Sequence, residues 1–227
     1  VAESRGLPVV VLPDVDQSYR AFMGKSSPNV VFANCSYNGA GICKSMGIPF
    51  VQVVHNTYIW TRTIPESKRV ILDSLPFTTA CVCVSKQVAD FFISEYHAER
   101  NSTFVIPNGI QLEKFKFSEA ARKEIRTRYG MKEDDTLFIA AASIGDQKNY
   151  PALLRAMVMA LKECPTAKLL IVGHVYHNGI FDLMKKIITD AHAEEHIIYI
   201  GCVPDIERYF SAADMLVHCS FYEGGPL

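Results

Sequence analysis

Short apolar runs alternate with amphipathic stretches along most of the chain. The runs are rich in β-branched residues and lack in-out alternation, which is typical of parallel strands covered on both faces. Helical spacing between the runs predicts the βαβ order of open parallel sheets. The predicted strands are 8–12, 30–33, 50–54, 80–84, 104–106, 137–142, 168–173, 197–201 and 215–218. The predicted helices are 16–25, 40–46, 66–75, 85–96, 118–129, 149–163, 179–192 and 205–212.

The segment from 106 to 110, Ile-Pro-Asn-Gly-Ile, separates two runs of this alternation. Pro107 cannot donate to a sheet ladder, and Asn108 and Gly109 tolerate positive φ, so we expect the preceding strand to stop and turn here. An ordinary turn inside one domain is the alternative. The restart of the alternation favours a hinge, with a first Rossmann-like domain over 1–109 and a second over 110–227.

Composition narrows the function classes. The 227 residues are 49% hydrophobic with a net charge of -1, as in a globular protein of one or two domains. The basic residues of the helix at 118–129 are balanced by Glu119 and Glu124, so a solvated face is favoured over nucleic-acid binding. These basic residues are Arg122, Lys123, Arg126 and Arg128. No apolar run approaches the roughly 18 residues of a membrane-spanning helix.

The seven cysteines show no CxxC pair or zinc-site spacing, so we interpret them as small buried side chains in a reducing, cytoplasmic compartment. Both ends suggest a fragment of a longer protein. Val1 is not a methionine, and Leu227 directly follows a Gly-Gly-Pro turn that should lead into a helix.

Ligands of open parallel sheets bind beyond the carboxyl ends of the strands, often at helix N-termini. After the predicted strand 137–142, a small-residue loop from Ser143 through Gly145 to Lys148 leads into a helix. A cation is unfavourable in a first helical turn unless an anion lies between, so Lys148 is a candidate anion ligand. A solvated lysine is the alternative.

Other candidates follow other strands. Gly173 and Gly201 end strands, where glycine permits close approach to the backbone, although bare turns would look the same. Glu223 precedes Gly224, Gly225 and Pro226, so a carboxylate that can accept hydrogen bonds from sugar hydroxyls stands beside backbone N–H groups. His55 follows the strand 50–54 and should stand at a carboxyl edge. A satisfied turn histidine is the alternative.

Together these pieces resemble the retaining glycosyltransferases of family 4, which have the GT-B fold: α/β, with two Rossmann-like parallel-sheet domains facing across a cleft. The resemblance covers most of the chain, incomplete at both ends. It rests on VS (84–85), VIPNGI (105–110) with Phe115, QKN (147–149) before LLRA (153–156), LIVG (170–173), IGCV (200–203) with Asp205, YFSAAD (209–214) and SFYEGGP (220–226).

The resemblance implies transfer of a sugar from a nucleotide-diphosphate donor to an acceptor hydroxyl with retention of configuration. It implies that Lys148 holds the diphosphate, that Glu223 contacts donor-sugar hydroxyls and that His55 approaches the transferred sugar. The first domain would be the acceptor side and the second the donor side. The further donor-binding positions would be Ser143, Gly145, Gly173, Val203, Gly224, Gly225, Pro226 and Leu227.

The family pattern implies no metal and no cofactor, with the nucleotide sugar as co-substrate. Expected partners are that donor and a glycan, lipid-linked or small-molecule acceptor, with no nucleic acid. A cytoplasmic location is expected, and peripheral association with the inner face of the membrane is left open.

Two departures weaken the resemblance. Ser143 stands where the family usually has an arginine, and losing one such contact can cost roughly 3 kcal/mol, or about a hundredfold in rate. The second family glutamate would lie beyond Leu227, and the glycine-rich first loop before Val1, so we expect this chain alone to be inactive. A non-catalytic nucleotide-sugar-binding relative is the alternative. An NAD-type dehydrogenase is disfavoured because no GxGxxG turn follows a strand.

Overall fold

The computed structural model describes residues 6–13, 16–57 and 65–225. Its residues form two compact units: the first comprises the described residues up to Gly109 together with 222–225, and the second comprises Ile110–Phe221. The boundary falls within the segment 106–110, which has no regular secondary structure. The preceding strand ends at Val105, as expected, and neither Asn108 nor Gly109 uses the positive φ that these residue types tolerate.

The first unit contains a four-stranded parallel sheet in the order β1-β2-β3-β4. Its strands are β1 (Val31–Asn34), β2 (Phe50–Val54), β3 (Ala80–Cys83) and β4 (Thr103–Val105). Its helices are α1 (Gln17–Ser26), α2 (Ala40–Ser45), α3 (Pro65–Ser74) and α4 (Lys86–Tyr96), with short 3-10 turns at Leu75–Phe77 and Arg100–Ser102. Ser85 caps α4 as predicted, because its Oγ accepts a hydrogen bond from Val88 N at 3.2 Å.

The predicted strand at 8–12 is wrong. Residues 7–12 belong to no strand, and Val9 and Val11 are 45% and 88% exposed. The physical reason is the lack of a partner: among the described strands, β1 is an edge of the first sheet and pairs only with β2. An apolar run without a neighbouring strand has no ladder to join.

Among the described residues, the first sheet is covered well on one face only. Val54 and Cys83 are fully buried in the core beneath α4. On the opposite face Phe32 is 62% exposed and Phe104 is 51% exposed. The expectation of strands covered on both faces therefore fails for part of this sheet.

The second unit contains a parallel sheet in the order β7-β6-β5-β8. Its strands are β5 (Leu137–Ala141), β6 (Lys168–Val172), β7 (Ile197–Gly201) and β8 (Met215–Leu216). Its helices are α5 (Glu119–Arg128), α6 (Tyr150–Ala160), α7 (Asn178–Asp190) and α8 (Ile206–Ala212). Consecutive residues of β6 enter separate core clusters, Leu169 in one and Leu170 in the other, so this sheet is buried on both faces.

Arg126 corrects the interpretation of α5 as a fully solvated basic face. Only 6% of Arg126 is exposed, and its guanidinium lies 3.1 Å from the Asp214 carboxylate. It also donates to the Asp135 carbonyl at 2.6 Å, and Arg122 contacts the other oxygen of Asp214 at 2.6 Å. The charge is buried because these acceptors satisfy its N–H groups, which periodicity could not show.

The cysteines are less uniform than expected. Cys43, Cys81 and Cys83 are buried, as small apolar side chains would be. Cys35 and Cys202 are exposed, and all seven are free thiols. The lack of disulfide or metal-site spacing among the cysteines therefore did not by itself predict that their side chains are buried.

Candidate functional site

The loop after β5 carries the strongest sequence candidate. From Ala142 onward the chain stays hydrogen-bonded to the end of β6 and the residues that follow it: Ala142 N donates to Val172 O, and Ile144 N donates to His174 O, each at 2.9 Å. The loop then forms a 3-10 turn, Asp146–Lys148, in which Lys148 N donates to Gly145 O at 3.1 Å. This places Lys148 at the carboxyl edge of the second sheet.

The sequence suggested that Lys148 lies in the first turn of the following helix, but it lies before α6. Asn149 interrupts the chain with a left-handed conformation (φ 49°, ψ 41°), and α6 begins only at Tyr150. The segment after β8 is tied to the same loop, since Phe221 N donates to Gln147 O at 2.9 Å. Ser143, Gly145 and Lys148 thus belong to one loop fastened by backbone bonds.

Gly173, at the end of β6, is required by backbone packing. Its φ is +152°, and a Cβ built on it would lie 2.0 Å from the Ala142 carbonyl oxygen. Sequence reasoning expected close approach of a ligand at this glycine, and the structure shows close approach of another strand end. Any side chain here would displace the start of the Lys148 loop.

Two tyrosine hydroxyls donate hydrogen bonds to the carbonyl groups at this backbone contact. Neither hydroxyl was identified from the sequence. Tyr150 Oη donates to Ala142 O at 2.8 Å, and Tyr199 Oη donates to Gly173 O at 2.9 Å. Burial raises the pKa of both phenols, so both stay protonated donors at neutral pH. Apolar patterning placed these tyrosines in a helix and a strand without indicating a hydroxyl partner.

Val203 follows β7 at the same edge of the sheet. It is partly buried against the core cluster that contains Leu170 and Tyr209. Gly201 before it has a φ of +75°, a conformation that favours glycine. The Val203 side chain therefore serves partly in core packing.

His55 lies at the carboxyl edge of the first sheet, directly after β2. Its Nε2 is 3.0 Å from Oδ1 of Asn34, the last residue of β1. Because an amide oxygen only accepts, this pairing corresponds to the tautomer with a proton on Nε2. Asn34 was not singled out from the sequence, since polar residues at strand ends are common.

The segment 223–225 belongs to the first unit, although the sequence division placed it in the second. A Cβ on Gly224 would lie 1.9 Å from the His55 carbonyl oxygen, and the Ser85 hydroxyl donates to Gly224 O. Glu223, partly buried, precedes this contact. Gly225 approaches Val84, since a Cβ on this glycine would lie 3.5 Å from Val84 Cγ2. Pro226 and Leu227 lie outside the described residues.

Two features are absent from the described residues. No group of three or more His, Cys, Asp or Glu side chains in that part of the chain is arranged to hold a metal ion. Within the same ranges, no helix combines the length and apolar character needed to cross a bilayer.

Solved structures define the class of protein. HepE (Alr3699) from Anabaena, in complex with UDP and glucose, matches 96% of this chain and 62% of its own, with 18% identity and a TM-score of 0.81. Sucrose-phosphate synthase (tll1590) from Thermosynechococcus elongatus matches 93% of this chain and 55% of its own, with 16% identity and a TM-score of 0.76. Two α/β units with all-parallel sheets and these neighbours define a GT-B fold.

Family models identify the chain more closely. The model described as Glycosyltransferase Family 4 matches residues 7–114, and the model described as Glycosyl transferases group 1 matches residues 121–227. The chain therefore belongs to the family 4 glycosyltransferases, and the family resemblance inferred from the motifs is confirmed.

Curated relatives share about a quarter of their aligned residues with this chain. Alpha-monoglucosyldiacylglycerol synthase of Streptococcus pneumoniae is 26% identical over 82% of this chain and 44% of its own length. UDP-Gal:alpha-D-GlcNAc-diphosphoundecaprenol alpha-1,3-galactosyltransferase of Escherichia coli is 26% identical over 80% of this chain and 48% of its own length. The chain thus spans about half the length of these relatives.

Proposed function

We propose that this chain binds a nucleotide-diphosphate sugar and takes part in its transfer, with retention of configuration, to an acceptor hydroxyl. The observation that carries the proposal is the Lys148 loop. It lies at the carboxyl edge of the second sheet and leads into α6, where parallel α/β sheets bind anionic ligands. Lys148 supplies the positive charge for a diphosphate, and the second unit is the donor side.

The chemistry requires charge stabilisation more than an enzymic nucleophile. The bond from the anomeric carbon to the diphosphate oxygen breaks, and a bond to the acceptor oxygen forms on the same face of the sugar. The acceptor proton passes to the leaving phosphate. Negative charge grows on the diphosphate, so a fixed ammonium group near it lowers the barrier. No metal and no further cofactor enters this scheme.

The other site candidates take the roles implied by family membership. His55 approaches the transferred sugar from the carboxyl edge of the first sheet, and Glu223 accepts hydrogen bonds from donor-sugar hydroxyls. The contact between Gly224 and the His55 backbone holds the Glu223 segment beside the carboxyl edge of the first sheet. This contact supports the assignment of His55 and Glu223 to one site.

Uracil is the base that we favour for the donor nucleotide. The Escherichia coli relative carries UDP-Gal in its name, and the Anabaena structure contains UDP and glucose. The names of the two bacterial relatives also point to diacylglycerol-based or undecaprenol-linked acceptors. We therefore favour a lipid or lipid-linked acceptor handled at the cytoplasmic membrane face, rather than a nucleic acid.

Ser143 favours a second candidate function, a nucleotide-sugar-binding protein without transfer. It stands after β5 where the family resemblance leads us to expect an arginine. The diphosphate would then lose one charge-assisted contact, which can lower a rate about a hundredfold while binding persists.

The first test is nucleotide binding. We expect UDP to raise the thermal midpoint of this chain more than ADP or GDP, because a ligand that binds only the folded state stabilises it. Lys148→Ala should weaken UDP binding at least about tenfold by calorimetry, the loss expected for a charged hydrogen bond. The matched control is Lys162→Ala, which removes an exposed lysine after α6 and should leave UDP affinity unchanged.

Two outcomes would contradict this scheme. Equal UDP affinity in wild type and Lys148→Ala would remove that lysine from the site. In a longer protein that includes the missing family residues, UDP binding without release of UDP from UDP-glucose or UDP-galactose, over a panel of diacylglycerol and polyprenol acceptors, would replace transfer with the binding-only candidate.

A further inference from the structure

The ends of β5 and β6, at the base of the Lys148 loop, form a close backbone contact. A tyrosine hydroxyl donates a hydrogen bond to a carbonyl on each side of this contact. The Ala142 carbonyl and the Gly173 backbone approach so closely that Gly173 admits no Cβ. Tyr150, in the first turn of α6, holds the Ala142 carbonyl, and Tyr199, in β7, holds the Gly173 carbonyl. We call Tyr150 and Tyr199 the tyrosine clamp.

Each side of the clamp is anchored in the fold. Tyr150 is 2% exposed within the core cluster on one face of the sheet. The Tyr199 ring packs edge-on against Phe181 of α7, with 4.8 Å between ring centroids. Both hydroxyls therefore come from rings with little freedom to move.

Backbone bonds extend the same unit sideways. Gly173 N donates to Gly201 O at 2.9 Å, so the Gly173 residue is held by β7 through both its N–H and its carbonyl. The register between β6 and β7 shifts at this point, which pairs Val172 with Gly201. Three strand ends thus meet at the base of the Lys148 loop.

We propose that the tyrosine clamp positions the Lys148 loop for the donor diphosphate. The inference rests on the proposed function, and the two tyrosines act through the backbone without touching the donor. A loop already held in its binding geometry loses less conformational freedom when the anion arrives. Without the hydroxyls, the ends of β5 and β6 separate more readily and the loop binds the diphosphate less well.

The experiment compares Tyr150→Phe, Tyr199→Phe and the double variant with the wild-type chain. UDP affinity by calorimetry should fall about threefold to tenfold in each single variant, the size expected for one lost hydrogen bond. Amide exchange at Ile144 and Lys148 should accelerate in the same variants, since both N–H groups are hydrogen-bonded within this loop region.

The matched control is Tyr209→Phe. Tyr209 is 5% exposed in the same unit, and its hydroxyl accepts a hydrogen bond from Arg128 at 3.3 Å. This variant should lower thermal stability as much as a clamp variant while leaving UDP affinity unchanged. A purely structural role for the clamp would make all three tyrosines behave alike.

The outcomes separate the two levels of inference. If Tyr150→Phe and Tyr199→Phe bind UDP as tightly as the wild-type chain does, the positioning role of the tyrosine clamp is overturned. The proposed function is then left intact. Failure of the wild-type chain to bind UDP, GDP or ADP overturns the proposed function, and the role assigned to the clamp falls with it.

Discussion

The two sheets are built from similar apolar runs, yet they are covered differently. In the second sheet, Leu169 and Leu170 point to opposite faces and both are fully buried. In the first sheet, Val54 is fully buried while Phe32 is 62% exposed. A continuous apolar run therefore predicts a parallel strand without telling how many of its faces are covered. Coverage depends on elements that are distant in sequence.

The largest effect is expected where both faces are covered. Leu169→Ala and Leu170→Ala should each destabilise the second unit by about 2–5 kcal/mol, because each removes buried methyl groups and leaves a cavity. Native-state hydrogen exchange of β5 and β6 would measure the loss unit by unit. Met159→Ala is the control, since Met159 on α6 is 68% exposed. A large loss in only one of the leucine variants would show that one face is open.

Changes in pH are expected to have smaller effects on stability, on the alkaline side for the first unit and on the acid side for the second. In the first unit, burial raises the pKa of Cys81 from 9.0 to about 11 and that of Cys83 to about 12. The folded state holds these protons more tightly, so their stabilisation is complete below about pH 9 and lost as pH rises toward 12. In the second unit, burial opposes ionisation of Asp214, but hydrogen bonds from Leu137 N, Arg122 and Arg126 lower its pKa overall.

Asp214 therefore stabilises the second unit above the ordinary carboxyl pKa, and that contribution disappears as pH falls through the lowered value. Hydrogen exchange followed from about pH 7 to about pH 10 should show the first unit weakening on the alkaline side. The Cys81→Val, Cys83→Val double variant should lessen this alkaline weakening. An unchanged alkaline profile in that variant would show that the two thiols are not its cause.

The smallest effect is expected on the open face of the first sheet. Phe32→Ser should change the stability of the first unit by no more than about 0.5 kcal/mol, as for other exposed substitutions. Val54→Ala, on the covered face, should cost about 2 kcal/mol. Chemical denaturation monitored by exchange in β2 and β3 would compare them. A loss for Phe32→Ser equal to that for Val54→Ala would mean that the open face is covered in solution.

Much of the fold could be predicted because its strands are short apolar runs bounded by turn residues. The run at 50–54 coincides with β2, and that at 197–201 with β7. The run at 8–12 is also apolar but forms no strand, because pairing requires a neighbour that a local pattern does not reveal. Arg126 shows the same limit for charges, since the carbonyls and the carboxylate that bury it lie elsewhere in the chain.

The candidate site could be predicted only in part. Strand order places His55 and Lys148 at carboxyl edges, as reasoning from parallel sheets anticipates. The roles given to them stay predictions. Tyr199 and Gly173 are 26 residues apart, and the Ser85 and Gly224 pairing spans 139 residues. Contacts of this kind depend on tertiary structure, so spacing along the sequence carries no trace of them.

The unequal accessibility of the thiols has a practical consequence. Cys35 in the first unit and Cys202 in the second are exposed, whereas Cys43, Cys81 and Cys83 are buried. With Cys164 and Cys219 replaced by serine, maleimide-linked spin labels would attach to one defined position on each unit. Pulsed dipolar spectroscopy would then give the distribution of distances between the two labels, with and without added nucleotide.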